Sequence, residues 1–309
     1  MAMVLVVGAT GVLGRHVIER LRARRVAVRA LVRDPARAAD LAASGVEIVP
    51  GDLIDAASLA RACAGAERVF AAAHSLLGRG RHASEHVDDS GHRALIAAAR
   101  SAGVRRFVYT SACGASPDHP IDFMRTKHTI EQAVQASGLD AAILRPTAFM
   151  EHHVHNFNGR NVLEKGKAQL IGPGTKPRNF VSAADVAEFA VRALLQDPPP
   201  FRTLDIGGPG HHNNAEVAAM YARCAGIEPR ASHLPRGVAG VLAVALTPFH
   251  PGLARLLKMM SLPDDAFDES FHGAAALERD HGVRLMTLEA FVRAQVAASR
   301  AKGVNVQEP

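Results

Sequence analysis

The sequence is poor in the features that mark secreted, membrane-spanning and nucleic-acid-binding proteins. It contains no tryptophan, two tyrosines and three cysteines in 309 residues. Cys63, Cys113 and Cys224 are widely separated and odd in number, so they form neither a disulfide framework nor a metal cluster and favour a reducing compartment. The apolar runs at the N-terminus and at 238–246 are too short for a signal sequence or a bilayer span. We therefore expect a cytoplasmic protein with no membrane partner.

The chain also lacks a concentrated charge of either sign. Lysine and arginine outnumber the acidic residues by 36 to 30, which gives a net charge of +6. The basic residues are scattered and form no stripe with interleaved aromatics, so nucleic acid is not an expected partner. A positive field would instead attract a polyanionic cofactor. Apolar residues make up 48% of the chain, enough for a large core in one domain with a smaller second lobe.

The first fourteen residues carry the strongest signal. The apolar run Met3–Val7 ends in glycines spaced G-x-x-G-x-x-G, and an amphipathic segment follows over Val12–Arg24. This order predicts a strand, a tight turn and a helix, whose first N–H groups and dipole favour a pyrophosphate. The alternative is a tight turn without a ligand. The residues expected to contact a dinucleotide here are Gly8, Thr10, Gly11, Val12, Leu13 and Gly14.

Strand-like and helical patterns alternate through the first half of the chain. The strand-like runs are Met3–Val7, Val26–Val32, Val46–Val49, Arg68–Ala72, Arg106–Thr110 and Ala141–Leu144. The helical patterns between them are Val12–Arg24, Pro35–Ala43, Ala56–Ala64, Ser84–Ala102 and Asp122–Ser137. The alternation predicts right-handed βαβ units in an α/β fold, with a Rossmann-type, doubly wound parallel sheet.

After Pro146 the composition changes, and 150–174 is rich in histidine, asparagine and glycine. The elements expected further on are a strand at Thr203–Ile206 and helices at Ala183–Leu195, Asn214–Ala225, Val238–Leu246, Gly252–Met259 and Thr287–Ser299. We expect a dinucleotide-binding domain over 1–150, onto which 179–207 packs back. A smaller, mostly helical substrate lobe would combine 151–178 with 208–302, and 303–309 would form a tail.

The end of the second predicted strand bears on which dinucleotide binds. The fingerprint expects an acidic residue about twenty positions past the glycines to bind the ribose 2′-hydroxyl, and Asp34 has that spacing. Pro35, however, favours the first position of a helix, which makes Asp34 its N-cap. Arg33 then lies at the strand tip with Arg37 one turn away, and two guanidinium groups suit a 2′-phosphate. We therefore favour NADP(H) over NAD(H), the alternative being two solvated arginines.

Residues after the third and fourth strands are further candidates for cofactor contacts. Asp52 would reach the amino edge of adenine or, alternatively, cap the next turn, and Leu53 follows it in the same segment. Ala72 and Ala73 carry small side chains, which would leave room for the ribose and the nicotinamide half of the dinucleotide.

In their order, these motifs resemble the atypical short-chain dehydrogenase/reductases, specifically the NmrA-like group. The resemblance rests on Gly8-Ala9-Thr10-Gly11-x-x-Gly14, Leu31-Val32-Arg33, Gly51-Asp52-Leu53, Tyr109-Thr110-Ser111, Lys127, Leu144-Arg145-Pro146 and Phe180-Val181-x-x-x-Asp185-Val186-Ala187. It spans 3–207 and weakens from 208 onwards. The group includes NADPH-dependent quinone oxidoreductases, isoflavone and phenylcoumaran reductases, and NADP-sensing regulators without turnover.

The resemblance implies roles for individual residues. Lys127 would hold the nicotinamide ribose, where the alternative is a solvated helix lysine, and Pro146 would contact the cofactor. Ser111, just past the fifth strand, would hydrogen-bond a substrate carbonyl, or else is an ordinary hydroxyl at a strand end.

One departure from the family pattern concerns the catalytic tyrosine. Ordinary short-chain dehydrogenases place Tyr and Lys on one helix face in Tyr-x-x-x-Lys, so that the ammonium lowers the tyrosine pKa. Here Phe123 precedes Lys127 at that spacing, while Tyr109 lies in a strand and Tyr221 in a late helix. Reducing a ketone builds alkoxide charge and needs a positioned proton donor. A quinone instead gives a stabilised quinolate that water can protonate, so the departure favours a quinone or a conjugated acceptor.

Histidines could supply the proton instead, because imidazole titrates near neutrality. His152 is the catalytic candidate, and His153 is a candidate substrate contact; His155 follows them. Adjacent histidines diverge on a strand or a helix, and no carboxylate or cysteine completes a tetrahedral set, so no metal is expected.

Apolar side chains offer a wall for an aromatic acceptor. Phe149, Met150, Phe157 and Phe180 would line it, or are simply core where the two lobes meet. Phe123 joins the expected substrate contacts, since it takes the place of the tyrosine.

The sequence therefore predicts an NADPH-dependent oxidoreductase that passes hydride to a quinone or conjugated carbonyl without the usual tyrosine, with Lys127, Ser111 and His152 as catalytic candidates. One alternative is a regulatory protein that binds NADP(H) without turnover. Another is a reductase or epimerase of a sugar, a steroid or a natural-product intermediate. The expected partner is a small aromatic or quinone-like molecule, and a homodimer is an option.

Overall fold

The computed structural model describes residues 3–228 and 230–301. Its strands, β1 to β12 in chain order, are Met3–Val7, Ala27–Val32, Glu47–Pro50, Arg68–Ala71, Arg106–Thr110, Asp140–Pro146, Ala148–Phe149, Lys167–Ile171, Arg178–Val181, Thr203–Ile206, His211–His212 and Arg230–Leu234. Its α-helices, α1 to α12, are Val12–Ala23, Ala39–Ala43, Ala56–Cys63, His92–Ser101, Asp122–Gln135, Arg160–Lys165, Ala183–Leu195, Asn214–Ala225, Arg236–Leu246, Pro251–Ser261, Ala274–His281 and Leu288–Ala301. The other helical segments are two 3-10 turns, Pro35–Ala38 and Gly80–His82, and two π-helices, Glu85–Gly91 and Met150–Gly159.

These elements form two compact units, each with its own hydrophobic core. The first unit runs to Arg145 and adds Val186–Asp205, and the second combines Pro146–Asp185 with the chain from Ile206 onwards. Within the described residues, every helix is too short or too polar to span a bilayer.

A seven-stranded parallel sheet in the order β10-β6-β5-β4-β1-β2-β3 forms the first unit. The direction of strand addition reverses beside β1, which pairs with β2 on one side and with β4 on the other. The predicted doubly wound α/β sheet is therefore confirmed. In such a sheet the carboxyl ends of the strands share one edge, and ligands bind where the order reverses.

Burial explains why the first strand and helix form. Residues Val4 to Val7 of β1 are all at most 1% exposed, as expected for a strand covered on both faces, and the sequence there is continuously apolar. Helix α1 alternates instead between core and solvent. Its buried face carries Val17, Ile18 and Leu21, so the amphipathic period of a helix is satisfied against the sheet.

One predicted helix, 84–102, does not begin as an α-helix. Its first part is the π-helix Glu85–Gly91. The hydroxyl of Ser90 donates to the carbonyl oxygens of Glu85 at 3.3 Å and His86 at 2.9 Å. A serine that bonds backward in this way competes with the regular backbone ladder, which is the local reason for the wider turn.

The second unit contains elements for which the sequence offered no pattern. The histidine- and asparagine-rich stretch after residue 149 forms the π-helix and α6, and β8 pairs with β12 in a separate two-stranded sheet. Local propensity is weak there, and burial supplies the order instead. Val154 and Val162 are fully buried in a cluster that also contains Tyr221.

The boundaries of the units differ from those expected from the sequence. The first stretch of the first unit ends at Arg145 rather than at 150, and of the expected 179–207 only Val186–Asp205 belongs to that unit. The reason is strand pairing. Strand β9 lies between β7 and β11 in a three-stranded sheet of the second unit, and this register fixes the segment before α7.

Candidate functional site

Gly8 follows β1, at the carboxyl edge of the sheet where the order of the strands reverses. Its φ of +95° lies in the left-handed region, which glycine adopts without strain. A Cβ at Gly8 would lie 2.7 Å from the backbone nitrogen of Ala73 and 2.9 Å from the carbonyl carbon of Ala72. The turn after β1 therefore packs directly on the segment after β4. These are residues that the sequence placed together at the cofactor site.

The start of α1 is open to a ligand. A Cβ at Gly14 would lie 2.2 Å from the carbonyl oxygen of Gly8, so the helix approaches the strand end as closely as the glycine spacing predicts. Gly11 is the N-cap and supplies no side-chain hydrogen bond, and the first turn contains no acidic residue. Thr10 and Gly11 are exposed, while Leu13 is buried. N–H groups without a side-chain cap at a helix start fit the pyrophosphate of a dinucleotide.

At the tip of β2, Asp34 caps the next helical turn, and Arg33 and Arg37 lie beside it in the sequence. The side chain of Asp34 accepts a hydrogen bond from the N–H of Ala36 at 3.1 Å, with Pro35 at the start of the next helical turn. The N-cap expectation is confirmed, although the turn is 3-10 rather than α-helical. Arg33 and Arg37 are exposed, and within the described residues neither guanidinium has an ion pair or a hydrogen bond that would keep it from an anion.

Arg15 is a residue of this corner that the sequence did not single out. Its guanidinium forms an ion pair with Asp40 and donates to the carbonyl oxygen of Arg37 at 3.3 Å. Arg15 therefore joins the first turn of α1 to the segment that carries Arg37. Its position directly after Gly14 was the available signal.

Asp52 has protein partners that decide between its two expected roles. One oxygen lies 2.8 Å from Nε2 of His82, and the other accepts the N–H of Ile54 at 3.4 Å. The turn-capping alternative is thus satisfied within the protein, and the adenine contact is not needed to explain the carboxylate. Leu53 is 5% exposed and belongs to the hydrophobic core, so its side chain does not line an open site.

Lys127 is buried rather than solvated, which excludes the alternative of an ordinary surface lysine. Its ammonium donates to the carbonyl oxygen of Thr110 at 2.9 Å, and it lies 5.0 Å from the ring centroid of Tyr109 and 5.4 Å from that of Phe123. Burial lowers the pKa of Lys127 to about 8, against the raising influence of Asp88 and Glu131. The ammonium stays charged at neutral pH and has two further donors.

Two hydroxyls at the end of β5 are buried without a partner. The Oγ of Ser111 and the Oγ1 of Thr110 make no hydrogen bond to any described residue. Buried hydroxyls are nearly always satisfied, so an unpaired one at the ligand edge of a sheet indicates a group supplied from outside the chain. The N–H of Ser111 is itself bonded to the carbonyl oxygen of Leu144 at 2.7 Å, which fixes the residue in place.

Beneath Lys127 lies a polar cluster that the sequence did not reveal. Asp88 is 1% exposed and accepts from the N–H of Ser75 at 2.9 Å and from the hydroxyl of Ser84 at 2.5 Å. His92 is fully buried, with Nδ1 bonded to the carbonyl oxygen of Val87 at 3.0 Å. Burial, with the charge of Lys127, lowers the pKa of His92 to about 4, so its ring is neutral at pH 7.

Helix α5 carries a further buried charge on the face of Lys127. Glu131 is fully buried and forms a forked pair with Arg145 at 2.8 and 2.5 Å. The spacing of Phe123, Lys127 and Glu131 at i, i+4 and i+8 could have shown that all three share one face. The partner of Glu131 was not predictable, because Arg145 belongs to a separate element, strand β6.

The second unit contains a cavity of about 220 Å³. Its lining includes Met150, Phe180, Pro209, His212, Thr287 and Leu288. Met150 and Phe180 are each 1% exposed, so they belong to the core and also form part of this apolar wall. The sequence did not predict His212 or Thr287 as lining residues of this cavity. Phe149 is only partly buried.

The histidines of the π-helix have separate environments. Burial lowers the pKa of His152, whose Nδ1 lies 3.4 Å from the amide nitrogen of Asn156. Burial and the nearby Arg178 hold the pKa of His153 well below its usual range. His155 shares a hydrogen bond of 3.1 Å with the Tyr221 hydroxyl. Among the residues described, no group of three or more His, Cys, Asp or Glu is placed to hold a metal ion.

Comparisons with known proteins agree with the prediction that this chain binds a dinucleotide. The model of the family described as NAD(P)H-binding matches residues 8–197. An NAD(P)H azoreductase from Xenophilus azovorans is 34% identical over 227 residues, which cover 72% of this chain and 74% of the relative. This chain belongs to the NAD(P)H-binding family. The resemblance to the NmrA-like atypical short-chain dehydrogenase/reductases is thereby confirmed.

Two further relatives show the range of the family. The NADPH-dependent quinone oxidoreductase QOR2 of Escherichia coli, solved with NADPH, is 26% identical with a TM-score of 0.72, covering 95% of this chain and 99% of the other. A photosystem II assembly factor, Ycf39 of Guillardia theta, is 28% identical over 75% of this chain and 73% of its own. The protein is an NAD(P)H-dependent oxidoreductase, as the sequence predicted, and a nicotinamide dinucleotide is its cofactor.

Proposed function

We propose that this protein uses NADPH to reduce a quinone or a related conjugated acceptor, without a phenol as proton donor. The observation that carries the proposal is the environment of Lys127. Its ammonium lies 5.4 Å from the ring centroid of Phe123, at the helix position where other short-chain dehydrogenases carry the tyrosine hydroxyl.

The residues of the first unit fit the cofactor. The uncapped start of α1 beside Gly8 would bind the pyrophosphate, and Arg33 with Arg37 would pair with a 2′-phosphate. The ammonium of Lys127 would bind the hydroxyls of the nicotinamide ribose with the donors that Thr110 leaves free. When bound, NADPH supplies the hydride.

Neither tyrosine is suited to replace the absent phenol. Burial, with the charges of Asp88 and Glu131, raises the pKa of Tyr109 well above its usual range. Burial also raises the pKa of Tyr221, and its hydroxyl is bonded to His155. A quinone avoids the problem, because hydride addition leaves a stabilised quinolate that takes its proton from water.

Within the first unit, one side chain is the candidate contact for the acceptor. The free Oγ of Ser111 would donate to the carbonyl oxygen of the acceptor, which lowers the energy of the developing negative charge. The second unit, taken by itself, has a cavity of about 220 Å³ with Met150 and Phe180 in its wall, and such a cavity suits a compact aromatic molecule. Azo compounds are a second acceptor class, since the Xenophilus relative is an azoreductase.

The test is a panel of acceptors with purified protein and NADPH. Simple quinones and azo dyes should be reduced, with one hydroquinone formed for each NADPH consumed, while unconjugated ketones and aldehydes should not. Ketone reduction as fast as quinone reduction would contradict the argument from the missing phenol. Replacing NADPH with NADH separates the cofactor preference from the acceptor preference.

A second candidate function is cofactor sensing without turnover, which the similarity to an assembly factor favours. Tight NADPH binding with no oxidation of NADPH across the whole panel would support this candidate over the first. A cytoplasmic location and a homodimer stay predictions of the sequence.

A further inference from the structure

The helical hairpin formed by α9 and α10, over Arg236–Ser261, carries an exposed apolar face. Large apolar side chains there that are more than a third exposed are Val238, Val241, Leu242, Val244, Phe249 and Leu253. Scattered exposed apolar residues are ordinary, but six within one hairpin form a patch of the kind that marks an interaction surface. None of these residues is assigned above to the cofactor or the acceptor.

Helix α9 buries two alanines and exposes most of its large residues. Ala239 and Ala243 are 0% and 4% exposed, whereas Val241 and Val244 are 70% and 76% exposed. A Cβ at Gly240 would lie 3.7 Å from the hydroxyl of Ser261, so the small residues allow α9 to pack closely on α10. A helix whose outer face meets only water has the opposite arrangement. The outer face of α9 is therefore adapted to an apolar environment.

The end of the hairpin has the same character. Phe249 lies between the two helices and is 76% exposed. Pro248 precedes it, and Leu253 extends the apolar face into the first turn of α10. An exposed phenylalanine with neighbouring leucine and valine is the composition of segments that lie at a membrane–water boundary.

The charge of the hairpin selects its partner. No aspartate or glutamate occurs between Arg230 and Pro263, and the hairpin carries Arg236, Arg255 and Lys258. Arg236 forms an ion pair with Asp264, just outside the hairpin, and Lys258 is exposed. The exposed ammonium of Lys258, on an apolar hairpin whose own segment has no carboxylate, is complementary to an anionic lipid bilayer.

A second copy of the chain is a poorer fit for the same face. A two-fold symmetric contact through the hairpin would bring the exposed Lys258 of each copy to one interface, where the segment offers no carboxylate of its own to pair with it. Spanning is excluded by length, because α9 covers only Arg236–Leu246 and a bilayer needs about 20 residues.

We propose that the hairpin Arg236–Ser261 docks in the interfacial layer of an anionic lipid bilayer, with Val241, Val244 and Phe249 inserted among the acyl chains. This departs from the sequence-based expectation of no membrane partner, which rested on span length alone. The docking is peripheral and independent of the acceptor chemistry.

Co-sedimentation of the full chain with vesicles tests the proposal. The protein should bind vesicles of equal parts phosphatidylcholine and phosphatidylglycerol at least about tenfold more tightly than phosphatidylcholine alone, and high salt should weaken the binding. Val241→Glu combined with Val244→Glu should lower the partition coefficient at least about tenfold. Leu77→Glu is the matched control, because Leu77 is 50% exposed in the first unit and its change should leave vesicle binding as in the wild type.

Thermal unfolding and NADPH affinity establish that the variants are folded, and Phe249→Ser gives an independent test should the double variant misfold. The proposal is overturned if the wild type ignores anionic vesicles, if it binds both vesicle types equally, or if the double variant binds like the wild type. A concentration-dependent dimer that the double variant dissociates, with no vesicle binding, would assign the face to a second copy and also overturn it.

Discussion

The ammonium of Lys127 donates a 2.9 Å hydrogen bond to the carbonyl oxygen of Thr110, the last residue of β5. This bond ties the middle of α5 to the carboxyl edge of the sheet. It also places a cation beside the hydroxyls of Thr110 and Ser111, neither of which has a partner within residues 3–228 and 230–301. The end of β5 therefore holds one buried positive charge and two buried hydroxyls without a protein partner.

Lys127→Met should reduce function without reducing stability. Losing a charged donor to the ribose should lower kcat/KM for NADPH by about ten- to a hundredfold. Methionine fills a similar volume and removes the cost of a buried charge, so the free energy of unfolding should stay the same or rise. Steady-state kinetics and urea denaturation measure the two effects, with the exposed Lys165→Met as control. Wild-type kinetics in Lys127→Met would contradict the assigned role.

His92 should make the fold sensitive to acid. Its folded-state pKa of about 4 lies below the usual value of 6.5, because burial and the charge of Lys127 disfavour the imidazolium. Between these values the unfolded chain binds more protons, so stability is present above pH 6.5 and is lost as the pH falls towards 4. His92→Asn keeps a donor for the Val87 carbonyl and cannot titrate. Its unfolding free energy should fall less between pH 7 and about pH 5, by about 2 kcal/mol.

Urea denaturation at the two pH values gives this difference directly. Other buried histidines, such as His153, add to the acid sensitivity of both proteins and cancel in the comparison. Parallel pH profiles for the wild type and His92→Asn would show that His92 does not titrate as its environment indicates.

The glycines of the first turn should separate folding from cofactor binding. A Cβ at Gly14 would lie 2.2 Å from a backbone oxygen that cannot move aside, so Gly14→Ala should lose at least about 2 kcal/mol of stability. A Cβ at Gly11 would lie 3.3 Å from the same oxygen of Gly8 and otherwise projects into exposed space. Gly11→Ala should therefore fold normally and bind NADPH about tenfold more weakly, because the methyl group crowds the phosphates. Calorimetry and thermal unfolding distinguish the two; equal NADPH affinity for Gly11→Ala and the wild type would speak against the pyrophosphate assignment.

Arg33 and Arg37 should set the preference for the 2′-phosphate. Replacing both with alanine should raise KM for NADPH by about ten- to a hundredfold and leave KM for NADH nearly unchanged. Arg61→Ala, which removes an exposed arginine from α3, is the control for overall charge. If both cofactors weakened equally in the double variant, the arginines would contribute a general field rather than a specific contact.

Local rules identified much of the first unit in advance. Asp34 was expected to cap a helical turn because proline follows it, and its bond to the Ala36 N–H at 3.1 Å agrees. The face shared by Phe123 and Lys127 follows from helix geometry alone. A turn-capping role was also among the two expected for Asp52, although its contact with His82 was not predicted.

Contacts between distant segments were beyond such rules. The pair of Glu131 with Arg145, the pair of Asp88 with Ser75 and the lining of the cavity by His212 each join separate elements. Periodicity reports which face of an element is apolar, but not which other element covers that face. For the same reason the sequence missed the pairing of β9 in the second unit.

The sequence by itself determined the glycine turn, the order of the βαβ units and the presence of Phe123 instead of a tyrosine four residues before Lys127. Each of these depends on spacing along neighbouring parts of the chain. Only the tertiary structure decided that Lys127 is buried, that two hydroxyls beside it are unsatisfied, and that α9 exposes its large side chains. Burial and hydrogen-bond satisfaction depend on what packs against a residue, and that is settled when distant parts of the chain meet.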